Sequence, residues 1–204
     1  MVMTTGTPPG EDRGARILSD CAHEIRSTVD LPIQAQCEPP KDNHWHFRMK
    51  EAGIDSLGMH IEVVNPELRK KIMPGKSQVP LEKYFESFNF AVEVFGWGQV
   101  STYILAGLGD TAEEIIEVCE KLTSIGVYPF VVPFVPVTGT PLESHSPPSP
   151  TFMRSILGPL AEMIQASGMG ADKIKAGCGR CGAFSALSAF ERIKKMIPGE
   201  PLAC

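Results

Sequence analysis

The sequence predicts an α/β fold of about five to six parallel strands, arranged as a partial (β/α) TIM-type barrel or as an open doubly wound sheet. Three observations lead there. An amphipathic helix, a glycine and a short apolar strand recur in that order along the chain. The strands are apolar on both faces, as in Val131, Val132, Phe134 and Val135, which suits a parallel sheet covered by helices. Helix and strand alternate, and alternation implies right-handed crossovers between parallel strands. With 204 residues the chain is shorter than the ~250 typical of a closed eight-stranded barrel.

Each unit can be justified from its residues. Asp12 precedes a helix over 13–27, and 31–37 reads as a strand stopped by Pro39 and Pro40. A helix over 47–52 leads through Gly53 to a strand over 56–63. In the next copy Leu81, Tyr84, Phe85, Phe88, Val92 and Phe95 form one apolar stripe, followed by Gly96 and a strand over 99–106. The third copy places Ile115, Ile116, Cys119, Leu122 and Ile125 on one face before Gly126 and a strand over 128–135. A fourth helix over 151–167 ends at Gly168, and a weak sixth strand is expected near Ile174. With the opening fragment 3–5, residues 1–168 form the barrel unit. Residues 169–204 form a C-terminal extension with a C-x2-C knuckle and a helix.

Composition narrows the function. The hydrophobic fraction of 43% supports a real core, and the net charge of −5 with scattered basic residues argues against a nucleic-acid partner. Neither a secretory signal nor an 18-residue apolar run is visible, so a cytoplasmic protein without membrane contact is expected. Of six cysteines only Cys178 and Cys181 are close in sequence, within Gly177-Cys-Gly-Arg-Cys-Gly182. That spacing is half of a tetrahedral sulfur site for zinc or an auxiliary iron–sulfur cluster. Cys37 and Cys204 are candidate further ligands, and a redox pair or an incidental pair of thiols are the alternatives.

In either architecture ligands bind at the carboxyl ends of strands. The clearest tip is Tyr103-Ile-Leu-Ala-Gly107-Leu-Gly109-Asp110-Thr111-Ala-Glu-Glu114, where Thr111 and Glu114 make a capping box. It is either a ligand-facing glycine turn or a turn that needs glycine for its own geometry. It matches neither a dinucleotide fingerprint nor a P-loop.

An ordered series of motifs resembles the radical S-adenosylmethionine (SAM) superfamily, in particular biotin synthase, lipoyl synthase and their nitrilase-cluster-associated relatives. The series comprises Thr5-Gly6-Thr7 with Glu11-Asp-Arg-Gly-Ala15, the stretch Gly58-Met-His60-Ile-Glu62 to Lys76, the Gly107-Leu-Gly109-Asp-Thr turn, and 126–142. The resemblance covers the C-terminal part of the barrel and favours the partial barrel over the doubly wound sheet. It implies SAM and a 4Fe-4S cluster as cofactors, and 5′-deoxyadenosyl-radical chemistry on a small-molecule substrate, with sulfur insertion one outcome. Carried over by position, Glu62 becomes a polar contact to SAM, Gly107 and Gly109 the backbone beside the adenine, and Gly6 a neighbour of the methionyl end. His60 reads as a core histidine. The chain has no C-x3-C-x2-C, the triplet that holds the family's cluster. A truncated gene, a second polypeptide that completes the barrel, and a non-catalytic remnant are the competing expectations. The contrasting function is a scaffold or metal-knuckle protein that pairs with a partner chain.

Overall fold

A computed structural model describes residues 1–6 and 8–196. Five parallel strands form one sheet: β1 (Val2–Thr4), β2 (Gln34–Gln36), β3 (Ser56–Gly58), β4 (Val100–Ala106) and β5 (Val127–Pro133). Their spatial order is β1-β2-β3-β4-β5, with every pair parallel. This order decides between the two architectures left open by the sequence. A doubly wound sheet reverses direction at a switch point, whereas a strictly sequential order with right-handed crossovers keeps all helices on one face. The sheet is therefore an arc of a (β/α) barrel.

The strands are separated by α1 (Ala15–Arg26), α2 (His44–Glu51), α3 (Pro66–Ile72), α4 (Leu81–Phe95) and α5 (Ala112–Ser124). After β5 come α6 (Pro150–Ala166), the single turn α7 (Cys178–Cys181) and α8 (Leu187–Met196). The stripe on α4 buries Tyr84, Phe88, Ala91 and Phe95, and Gly96 ends that helix at φ 99°. The capping box expected on α5 is present: the Thr111 side chain accepts from the Glu114 N–H, and Glu114 reaches back to the Thr111 N–H. Among the described residues no helix is long and apolar enough to cross a membrane.

Register sorts the sheet into two faces. Ala35, Leu57, Val100 and Val127 lie in register, and all four are fully buried. The other face carries Gln34, Gln36, Gly58, Ser101, Tyr103, Tyr128 and Phe130. That face is bound by the C-terminal extension. Ser56 Oγ donates to the Ala176 carbonyl at 2.9 Å, Gln99 bonds Lys173 and Lys175, and Tyr128 donates to the Glu191 carboxylate. Met169, Ile174 and Leu187 join the same core as the barrel strands.

Three expectations need correction. The strand expected over 56–63 stops at Gly58 and resumes only as a single bridge between Glu62 and Ile104. After Met59 N–H, which still donates to the Ser101 carbonyl at 3.0 Å, side chains enter the ladder: Ile61 N–H donates to Thr102 Oγ1 at 2.9 Å, and Tyr103 N–H to His60 Nδ1 at 3.2 Å. The segment after Glu62, where no helix is expected from the sequence, contains α3, started by Asn65, whose side chain accepts from the N–H groups of Glu67 and Leu68. Near Ile174 there is a 3-10 turn at Ala171–Lys173 in place of a sixth strand.

Candidate active site at the strand tips

A cavity of about 160 Å³ opens where the carboxyl ends of β1, β2 and β3 converge. Thr4 and Gly6 line it from β1; Gln36, Cys37 and Glu38 from β2; His60, Glu62 and Lys76 from β3 and the segment after α3. The structure thus brings together Gly6, Cys37 and Glu62 of the expected site residues. Gly6 has φ 67°, and no atom lies within 4 Å of where its Cβ would be, so its backbone is open to approach.

Glu62 is held in an unusual state. It has φ 67° without being glycine, one of two such residues described, the other being Arg13 at φ 50°. A left-handed backbone at a non-glycine residue costs about 1–3 kcal/mol and persists only where the surroundings enforce it. Here they do. Glu62 N–H donates to the Tyr103 carbonyl at 2.8 Å, and its own carbonyl accepts from Leu105 N–H at 2.7 Å. Arg69, 2% exposed, donates through Nη1 to the carbonyls on either side, Ile61 and Val63. Its other terminal nitrogen reaches the Lys76 carbonyl at 3.3 Å, and the guanidinium lies 5.0 Å over the Tyr84 ring. Lys76 Nζ then pairs with the Glu62 carboxylate at 2.7 Å. The second strained residue also serves the rim, since Arg13 lies 3.6 Å from the buried Glu38 carboxylate.

His60 is neutral. Burial pushes its pKa down to about 3, with Lys76 adding to the effect. Because Nδ1 accepts from a backbone N–H, the ring proton resides on Nε2, which has no partner among the described residues. A buried, unpaired N–H costs about 1–3 kcal/mol, so this histidine is not a satisfied core residue.

Gly107 and Gly109 do not line the cavity. A Cβ on Gly107 would lie 2.7 Å from Pro148, and the Gly107 carbonyl is bound by His145 Nε2 at 2.7 Å. Gly109 packs on Leu68 in the same way, at 3.1 Å. The working member of this turn is Asp110, buried, whose carboxylate accepts from Val64 N–H at 3.2 Å and Asn65 N–H at 2.8 Å. It ties the β4 tip to the loop that carries Glu62. Burial raises its pKa, and the two backbone bonds oppose that.

The three cysteines proposed as metal ligands are not gathered. Among the described residues no group of three or more His, Cys, Asp or Glu could hold a metal ion. Cys37 is buried, and its thiol is pushed up to about 12 by burial, then by Glu38 and Asp12. Cys178 is half-buried with its sulfur 4.0 Å from Gln36 Nε2, and Cys181 is exposed. Cys204 lies outside the described residues.

The cofactors implied by the resemblance can be tested against these groups. A carboxylate, an unpaired imidazole N–H and an open glycine backbone are a fitting set for the polar groups of SAM. The cluster does not fit, since the sequence lacks the triplet and Cys37 is the one cysteine that lines the cavity among the described residues. Lys76 and Arg69 were not singled out in the sequence. Lys76 lies 14 residues beyond Glu62 and meets it only because α3 turns the chain back.

No family model matches the chain. It is 35% identical over 122 residues to the bacteriochlorophyllide c C-7(1)-hydroxylase of Chlorobaculum limnaeum, a match covering 59% of this chain and 30% of that protein. Among solved structures it resembles methylornithine synthase (PylB), with TM-score 0.64 and 19% identity over 93% of this chain and 54% of the other. Coproporphyrinogen III oxidase (HemN) from Escherichia coli, described as a radical SAM enzyme, matches with TM-score 0.56 and 17% identity over 76% of this chain and 37% of the other. These structural likenesses speak to fold, and the chain spans from 30% to 54% of the length of these proteins. Fold and matched relatives point the same way: the chain shares the partial (β/α) barrel of these solved structures, and its likeness is to part of a radical SAM barrel.

Proposed function

We propose that the cavity at the tips of β1–β3 binds SAM and that the chain serves a radical SAM reaction on a small-molecule substrate. The observation that carries this reading is Glu62: a strained residue, braced by Arg69, Asp110 and Lys76, whose carboxylate lines the same cavity as Gly6 and His60. Bound SAM, cleaved by one electron from a reduced cluster that these residues do not hold, would supply the 5′-deoxyadenosyl group for hydrogen-atom abstraction from the substrate. The chain's own residues do the holding. Glu62 accepts from the ribose hydroxyls or the amino group, and Gly6 leaves its backbone free for the methionyl end. Gly107 and Gly109 act through the turn that fixes Asp110. Cluster binding has no residues here to assign, and no step is derived through it. Sulfur insertion rests on the biotin- and lipoyl-synthase resemblance alone.

The scaffold reading has less support. Strained residues concentrate at the tips, as in a binding site, and the β5 edge carries Pro129 and Pro133, which cannot donate to a further strand.

Calorimetric titration of the chain with SAM tests the proposal. A charge-assisted hydrogen bond contributes about 1.5–3 kcal/mol, so Glu62→Gln should weaken binding roughly 10- to 100-fold. Equal affinity in the variant, or no binding by the parent chain, refutes it.

A further inference from the structure

We propose that Cys178 and Cys181 are a redox-active dithiol that closes to a disulfide and links the barrel chamber to an outer pocket. The two sulfurs sit on the single turn α7 but face different surroundings. Cys178 packs against the core, with its sulfur 4.0 Å from Gln36, a residue that lines the cavity. It also lies against Tyr103, whose hydroxyl is raised in pKa first by burial and then by its bond with the Cys178 thiol. Cys181 is exposed and lines a separate pocket of about 490 Å³ together with Arg180, Arg192 and Ser188. One sulfur thus lies against a residue that lines the cavity, and the other opens to the outer pocket.

The turn is rigidly placed. Gly177 has φ 106°, and a Cβ there would collide with the Gln34 side chain. Gly179 packs on Ile174 and Tyr128, where a Cβ would lie 2.7 Å from Ile174. These glycines let the turn lie against the inner face of the sheet. Cys181 N–H donates to the Gly177 carbonyl at 3.0 Å, and Gly182 N–H to the Cys178 carbonyl at 2.8 Å. Residues three apart on a helical turn are neighbours, with Cβ atoms about 5–6 Å apart. A disulfide needs about 3.5–4.5 Å, so a small tightening of one turn closes the bond. A metal in this place would need further ligands, and none are gathered among the described residues.

The chemistry balances with a small-molecule disulfide as oxidant. The Cys181 sulfur attacks one sulfur of the oxidant, forming a mixed disulfide and releasing one thiol. The Cys178 sulfur then attacks the Cys181 sulfur, forms the internal bond and expels the second thiol, which keeps the proton lost by Cys178. The protein gives up two electrons and two protons, and the oxidant becomes two thiols. A reducing dithiol runs the sequence backwards. Closing the bond draws the Cys178 sulfur from Gln36, so the contact with this cavity-lining residue changes with redox state. None of this depends on whether the cavity takes SAM.

Equilibration of the full chain with oxidised and reduced glutathione, acid quenching and tryptic mass mapping without reductant tests it. Trypsin cuts after Arg180, between the two cysteines, so the flanking peptides stay joined only if the disulfide has formed. The expected result is that joined pair, with loss of two thiols, reversed by dithiothreitol. Cys178→Ser should trap glutathione on Cys181, and Cys181→Ser should leave Cys178 a free thiol under the same conditions. The proposal is overturned if both cysteines remain thiols at every ratio or if Cys178 is modified before Cys181. Stoichiometric zinc or iron in the isolated chain that disappears in Cys178→Ser overturns it as well.

Discussion

Gly177→Ala should detach the C-terminal extension from the barrel. Gly177 has φ 106° and ψ −173°, in a region essentially reserved for glycine, and alanine there costs about 1–3 kcal/mol. The added methyl would also lie well inside contact distance of Gln34, which is 1% exposed and cannot move into solvent. Gln34 donates to Ser101 Oγ and accepts from Gln36 Nε2, each at 3.1 Å. Displacing it sacrifices both bonds, at about 1 kcal/mol apiece. The total of about 3–5 kcal/mol is a large part of the ~5–15 kcal/mol that holds a typical domain. The cheaper escape is for residues 169–196 to lift off while the five strands stay paired, a sub-global opening. Two measurements separate the outcomes. Urea denaturation reports the loss in global stability, and the reaction of Cys178 with a thiol reagent reports undocking. Faster Cys178 labelling with circular dichroism nearly unchanged is the expected result. A variant within about 0.5 kcal/mol of the parent, with Cys178 labelling at the parent rate, would show that the close approach of Gly177 to Gln34 is wrong.

Two further outcomes follow from the same structure. His46 is buried and its pKa is pushed down to about 4 by that burial, so between about pH 6.5 and 4 the unfolded chain binds a proton that the folded chain refuses. Stability from this group is complete above pH 6.5 and falls by on the order of 3 kcal/mol as pH drops towards 4. Urea midpoints at pH 7 and pH 5 should differ accordingly, and His46→Gln should flatten the difference; an unchanged slope would reject the assignment. Asn65→Ala removes the cap of α3 and the 2.7 Å bond from Asn65 Nδ2 to Glu114, a loss of about 1–2 kcal/mol readable as a lowered thermal midpoint, and a midpoint unmoved would argue against that cap.

What the sequence disclosed, and what it hid, follows from the range over which each signal acts. The α4 stripe and the Thr111–Glu114 capping box are local patterns, and both appear where expected. The choice between barrel arc and doubly wound sheet is not local. It depends on which strands neighbour one another in space, and only the sequential order resolves it. The residues at 59–61 read as strand because they alternate well. Two of their ladder bonds are taken by Thr102 Oγ1 and His60 Nδ1, which no propensity reports. Glu62 was found by position in an ordered motif series. Its partners Lys76 and Arg69 were hidden because α3, started by Asn65, folds them back onto it. The glycines around Cys178 also make room for Gln34 and Tyr128, a long-range contact that the local spacing does not report.

The restraints on Glu62 share a logic that bears on how the site would work. Among the described residues, Arg69 is a buried cation that meets carbonyls, a thioether and an aromatic face rather than a carboxylate. Leaving a charge so placed is costly unless its hydrogen bonds are many and well fixed. Here the guanidinium takes the carbonyls of Ile61, Val63 and Lys76, the ones that orient Glu62 and its lysine partner. From the other side Asp110 takes the N–H groups of Val64 and Asn65. A cation on the carbonyls and an anion on the amides together fix both ends of one strained loop. The two charges act on the backbone, and among the described residues the Glu62 carboxylate has Lys76 as its ion-pair partner. That pair is one-quarter exposed on each side, so a ligand cation or hydroxyl can compete for the carboxylate without disturbing the backbone that aims it. Rigid backbone and exchangeable side-chain contact are what a preorganised binding group requires.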